Sequence, residues 1–170
     1  MAFRVLIIGG TGQVGAAVVR ALAAEPSCAE IVMVNRSAMA HLPDPRVRQV
    51  ILDTASAQFP AEVTRLAQSL MAQGDPVYGA CCVGVGKGSL NWSEAELKAL
   101  EIGVVGGFAR GCRAGGITRF SLLSAVGSTA KSRRITYFIW RACRVNRPWF
   151  GCGLPGPEYR LPFVQTLHTL

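Results

Sequence analysis

Seven residues near the amino terminus, Gly9-Gly10-Thr11-Gly12-Gln13-Val14-Gly15, constrain this chain more than any other segment. Before them, Phe3 to Gly9 is a short apolar run ending in glycine, which predicts a strand buried on both faces. After them, Gln13 to Glu25 places Val14, Ala17, Val18, Ala21 and Leu22 at helical spacing, and Pro26 follows the end. The loop satisfies both GxGxxG from Gly10 and GxxGxxG from Gly9. Early glycines allow a tight turn, Gly12 lets backbone amides approach a diphosphate, and Gly15 lets the helix pack closely on the strand. Free amides and the positive end of the helix dipole then face negative charge. A glycine-rich βα turn with no ligand is the plain alternative, but the motif stands in the strand-to-helix context it requires.

The rest of the chain alternates in the same way. Ile31 to Val34 reads as a second strand, Val47 to Leu52 as a weaker third, and Val77 to Val83 as a fourth. Ala61 to Gln73 is helical by composition. Ser93 opens the next helix, and Glu96 completes a capping box with it. Gly103, Gly106, Gly107 and Gly111 weaken that helix by roughly 1 kcal/mol each, so close packing on a neighbour or an irregularity is expected. Thr118 to Ser124 reads as a fifth strand. Alternating strands and helices imply a parallel sheet covered on both faces. The expected fold is α/β, a Rossmann-type doubly wound sheet in the order 3-2-1-4-5.

With 170 residues, half of them hydrophobic and 16% charged, the chain can bury one core and does not read as disordered. No apolar stretch approaches the roughly 20 residues of a membrane span. The first apolar run ends in glycines and a helix start, not in a leader cleavage site. A cytoplasmic protein is the expectation. The six cysteines show no CxxC spacing and no histidine pairing, so reduced structural thiols are expected, with no metal site. Cys81 and Cys82 fall in a strand, where neighbours point to opposite faces, which argues against a vicinal redox pair. His41 and His168 have no partners in sequence.

Past the second strand, a cofactor-binding domain of this kind would place an acid on the ribose 2′-hydroxyl of NAD. Here Asn35-Arg36-Ser37 stands instead. No carboxylate repels a 2′-phosphate, and Arg36 can pair with one and stack on adenine, which favours NADP over NAD. The plain alternative for Arg36 is a solvated loop arginine. Asp53 reads equally as a contact to the adenine amino group or as a cap or turn residue. Lys87 and Ser89 belong to a loop at the carboxyl edge of the sheet, touching phosphate or ribose or simply solvated.

On these residues the chain resembles the short-chain dehydrogenase/reductase superfamily, in its extended and atypical branches. The resemblance is carried by GGTGQVG at 9–15, NRS at 35–37, LD at 52–53, VGVGKGS at 83–89 and FSLLSAVGS at 120–128. It covers roughly residues 3–137 and is nearest the Tat-interacting-protein-like oxidoreductases. It implies a serine that polarises a substrate carbonyl or hydroxyl, matched by Ser124. It also implies a Tyr-x-x-x-Lys, in which tyrosine exchanges a proton and lysine lowers its pKa while holding the nicotinamide ribose. Tyr137 matches the tyrosine, but Arg141 stands where the lysine would be. A guanidinium keeps positive charge near the phenol, yet its planar fork differs from a compact ammonium. Without the resemblance, Ser124 reads as a strand-end cap and Tyr137 as a core aromatic.

Residues 1–137 thus read as an NAD(P)-binding domain and 138–170 as an irregular basic tail. Of a net charge of +8, most lies after residue 130, where seven Lys or Arg stand against one acid. The tail has neither strand nor helical period, and a complete substrate lobe is not legible in it. Its arginine, cysteine, proline and glycine suggest a frameshifted or truncated reading of a GC-rich gene. Translating the other two frames past Tyr137 tests this: a lysine at position 141 and a legible lobe would support it. A native basic tail docking on nucleic acid or membrane is the competing idea, although no recognition motif supports it. The sequence reading is therefore an NADP-binding oxidoreductase-like protein acting on a small carbonyl or alcohol, its catalysis impaired if Arg141 cannot replace lysine. A non-catalytic NADP-binding regulator or redox sensor is the alternative. No specific nucleic acid is expected, and an incomplete sheet would leave apolar surface that invites homo-oligomers.

Overall fold

The computed structural model describes residues 1–84, 92–93, 95–96 and 99–123. Five parallel strands form one sheet in the order β3-β2-β1-β4-β5. They are β1 (Phe3–Ile8), β2 (Cys28–Asn35), β3 (Val47–Ile51), β4 (Val77–Cys81) and β5 (Arg119–Leu122). Helix α1 (Gln13–Ala24) joins β1 to β2, and α2 (Phe59–Met71) joins β3 to β4. A π-helical stretch (Ala99–Val105) runs into α3 (Gly106–Ala114) ahead of β5. This is the expected doubly wound sheet. No described helix is long and apolar enough to cross a membrane.

Alternation along β1 divides the core. Leu6 and Ile8 join Val32, Val34, Phe59 and Phe108 on the face covered by α2 and α3. Val5 and Ile7 join Val19, Ile31 and Met33 on the face covered by α1. Leu6, Ile7, Ile31 and Val32 are completely inaccessible to solvent, as a central parallel strand pair requires.

Strand β2 begins three residues before the apolar run that announces it, because pairing with β1 carries it back to Cys28. Glu30 within that extension accepts from Arg4 Nη1 at 2.8 Å and from Arg48 Nε at 3.0 Å, so its charge is paired across three strands. Helix α1 has no basic residue in its last turn. Arg46, from the β2–β3 connection, donates instead to the carbonyls of Ala23, Glu25 and Cys28 and pairs with Asp44. That guanidinium holds the Asp44 carboxyl below the usual carboxylate range. A distant arginine thus satisfies carbonyls left open at the helix end.

The capping box forms as read: Ser93 N–H and Oγ both reach Glu96 Oε2 at 2.7 Å, and the Glu96 amide donates to Ser93 Oγ at 3.3 Å. The helix that follows is irregular and closely packed at once. It is π-helical from Ala99 to Val105, and from Gly106 it becomes regular. Gly111 then lies so near α2 that an added Cβ would stand 2.6 Å from Val63 Cβ and 2.7 Å from Pro60 O. At Gly115 the same atom would meet Ala67 Cβ at 2.3 Å. Glycines that cost helix propensity therefore let two helices meet nearly backbone to backbone.

Substitution separates the two effects. Gly111→Ala should lower stability by about 1–3 kcal/mol through overpacking, despite roughly 1 kcal/mol of gained helix propensity. Gly103→Ala adds an atom that meets nothing within 4 Å and should be neutral or stabilising. Urea unfolding of both variants checks the contrast; equal stabilities would contradict the packing account.

Candidate functional site

The register aligns the carboxyl ends of four strands. Ile8 lies opposite Val34 in β2 and Cys81 in β4, and Cys81 lies opposite Leu122 in β5. Residues 9–15, the loop after Asn35, residues 82–84 and Leu123 consequently leave the sheet along one edge. The order of strands reverses between β1 and β4, and ligands of open α/β sheets bind outside such a point.

The glycine loop folds under α1 in a way that gives each glycine a different reason. Gly9 has φ of +79°, and a Cβ there would meet the Cys82 carbonyl carbon at 2.6 Å and Val83 N at 2.7 Å. A side chain would be both strained and blocked by the backbone just past β4. The Gly9 carbonyl accepts the Gly12 amide at 3.1 Å, closing the turn. At Gly15 a Cβ would stand 2.0 Å from that same carbonyl oxygen, so helix and loop can touch only without one.

Gly12 differs. It caps α1 with φ −74° and ψ 167°, a conformation open to any residue, and its nearest neighbour to an added Cβ is an ordinary 3.4 Å away. Gly12 is exposed, as are Thr11, Gln13 and Val14. The cap supplies no side-chain acceptor, and no acid stands in the first turn. The first intrahelical bond is Ala16 N–H to the Gly12 carbonyl at 2.8 Å. The amides of Gln13, Val14 and Gly15 therefore have no acceptor within the helix, and the positive end of its dipole is not neutralised locally. The donor set suits a diphosphate, and a Cβ on Gly12 would project into the exposed space in front of it.

The segment after β2 divides into a buried anchor and an exposed arc. Asn35 is 5% exposed; its carbonyl accepts the Leu52 amide at 3.0 Å and its Nδ2 donates to Gln49 Oε1 at 3.3 Å. Arg36 and Ser37 are exposed, and Arg36 makes no hydrogen bond or ion pair among the described residues. Asp53 is also exposed; its Oδ1 accepts the Ala55 amide at 3.0 Å, and its carbonyl accepts the Ser56 amide at 3.1 Å. The turn role is thus present, and it uses one carboxylate oxygen.

Cys81 packs on the α2 and α3 face and Cys82 on the α1 face, as strand alternation requires. Burial pushes the Cys81 thiol up to about 12 and raises that of Cys82. Both stay protonated near neutrality and are poor nucleophiles. Lys87, Ser89, Ser124, Tyr137, Arg141 and the tail 138–170 lie outside the described residues. Gln49 is the site residue the sequence reading missed. Its only signal was a second polar residue, beside Arg48, in a five-residue strand.

No protein-family model and no curated protein matches the chain. Solved structures do. The oxidoreductase ylbE from Lactococcus lactis superposes with a TM-score of 0.66 at 17% identity, over 87% of this chain and 63% of that one. A uronate dehydrogenase from Agrobacterium tumefaciens, in complex with NAD, gives 0.54 at 18% identity, over 76% of this chain and 43% of its own. A Serratia marcescens short-chain dehydrogenase/reductase variant gives 0.57 at 16% identity, over 87% and 67%. The chain spans less than two thirds of the first two. What is shared at this identity is the fold, a doubly wound parallel α/β sheet.

The loop geometry separates folding from binding. Gly15→Ala should destabilise the protein by about 3 kcal/mol or more. Gly12→Ala should stay within about 1 kcal/mol of the parent yet weaken diphosphate binding at least about tenfold. Unfolding midpoints and ADP titrations read the two quantities independently. A Gly12→Ala variant that binds ADP like the parent would remove the ligand-facing role of that glycine.

Proposed function

We propose that this chain binds NADP through residues 9–15 and 35–37, with NAD the weaker ligand, and acts as an oxidoreductase on a small carbonyl or alcohol substrate. The observation that carries the reading is Gly12: neither its backbone angles nor its protein neighbours call for glycine, while open amides stand beside it at a helix start. A diphosphate explains both features together. The fold supports it, since the uronate dehydrogenase that shares this sheet carries NAD.

In this reading the amides of Gln13, Val14 and Gly15 hold the diphosphate and Thr11 flanks it. Arg36, exposed and without an ion-pair partner among the described residues, pairs with the 2′-phosphate, and Ser37 donates to it. The second carboxylate oxygen of Asp53 is the group proposed for the adenine amino nitrogen. When bound, the dinucleotide supplies or takes up a hydride. Lys87 is assigned to ribose or phosphate. Ser124 is assigned to polarising the substrate oxygen, Tyr137 to exchanging its proton, and Arg141 to holding positive charge beside the phenol. These last assignments rest on the sequence resemblance.

Thermal unfolding with either dinucleotide tests the cofactor assignment. At a hundredfold excess over Kd, binding stabilises by about 2.7 kcal/mol, which moves Tm by roughly 5–10 °C in a chain of this size. NADPH should give that shift and NADH a smaller one, and Arg36→Ala should bring the NADPH shift down to the NADH level. No shift with either dinucleotide would overturn the cofactor assignment; equal shifts would overturn the preference for NADP.

A further inference from the structure

The arc that carries Arg36 is fixed at both ends by one side chain. Gln49 lies in β3, opposite Met33 of β2, and is half-buried. Its Oε1 accepts the Asn35 side-chain amide at 3.3 Å and the Met39 backbone amide at 2.9 Å. Its Nε2 donates to the Met39 carbonyl at 3.1 Å. The paired bonds to Met39 imitate one rung of a β-ladder, as though β3 had a further neighbour beyond the end of β2. The Met39 side chain packs against the core on the α1 face, which fixes the same point a second time. Between the two anchors only Arg36, Ser37 and Ala38 are free, and all three are exposed.

Three residues spanning two fixed points have little conformational freedom, so the arc is set before any ligand arrives. An arginine loses side-chain freedom when it is ordered, and a mobile backbone beneath it would add to that cost. From these contacts we infer that Gln49 is a positioning residue for recognition of the 2′-phosphate. It touches neither phosphate nor ribose, and sets the backbone from which Arg36 and Ser37 reach them. This inference rests on the cofactor reading given above and deepens it: the NADP preference depends on β3 as well as on the loop.

Calorimetric titration with adenosine 2′,5′-bisphosphate and with adenosine 5′-monophosphate separates the inference from the reading beneath it. The parent should prefer the bisphosphate, and Arg36→Ala should lose that preference. Gln49→Leu, similar in size and unable to make any of the three bonds, should lose about tenfold in bisphosphate affinity while monophosphate affinity is unchanged. Gln49→Asn keeps the amide but is one methylene too short to hold both anchors. It should show the same selective loss, which covers the case in which the leucine variant does not fold. A parent without preference overturns the cofactor reading and this inference with it. A parent and Arg36→Ala that behave as expected, beside Gln49 variants that keep full preference, overturn this inference alone. Equal losses for both nucleotides also overturn it, because they would reveal a merely structural role.

Discussion

The contact between the Gly9 carbonyl and Gly15 sets the geometry of everything at the carboxyl edge. The two glycines are six positions apart, and the first turn of α1 rests on the end of β1 through them with no side chain between. That approach fixes where the helix starts, which way its amides point and how the loop lies against Cys82, just past β4. It also leaves the helix without a side-chain cap, since the capping position is another glycine. A loop built for packing alone would gain from serine or aspartate there. The glycine there leaves those amides without an acceptor inside the helix.

The opposite face obeys the same rule with another pair of surfaces. Gly111 and Gly115 bring α3 and the turn after it against α2, much as Gly15 brings α1 against β1. These approaches place the helices on both sides of the sheet, whose strand ends the parallel register keeps level. Level strand ends matter because the candidate site is assembled from four separate connections. None of them carries it alone.

Much of this was legible in the residues, because it depends on local physics. An apolar run, a glycine turn and a helical period name the first βαβ unit without tertiary information, and repetition of the pattern names the sheet order. The capping box at Ser93 and Glu96 and the glycine-weakened helix also follow from local chemistry. The backward extension of β2 was not legible, since Glu30 enters a strand only where Arg4 and Arg48 neutralise it. Arg46 as a helix terminator was hidden for the same reason: it meets α1 more than twenty residues away in sequence.

By itself the sequence determined the fold class, the glycine-rich strand-to-helix turn and the absence of an acid directly after β2, because each is written in adjacent residues with fixed backbone preferences. Only the tertiary structure decided which glycine answers to packing and which to open space, since that depends on atoms from the segment after β4 and the loop meeting in three dimensions. It alone distinguished the buried Asn35 from the exposed Arg36 and tied Asn35 and Met39 to Gln49. Those contacts cross strands, and hydrogen bonds between residues ten or more apart leave no period for a sequence to display.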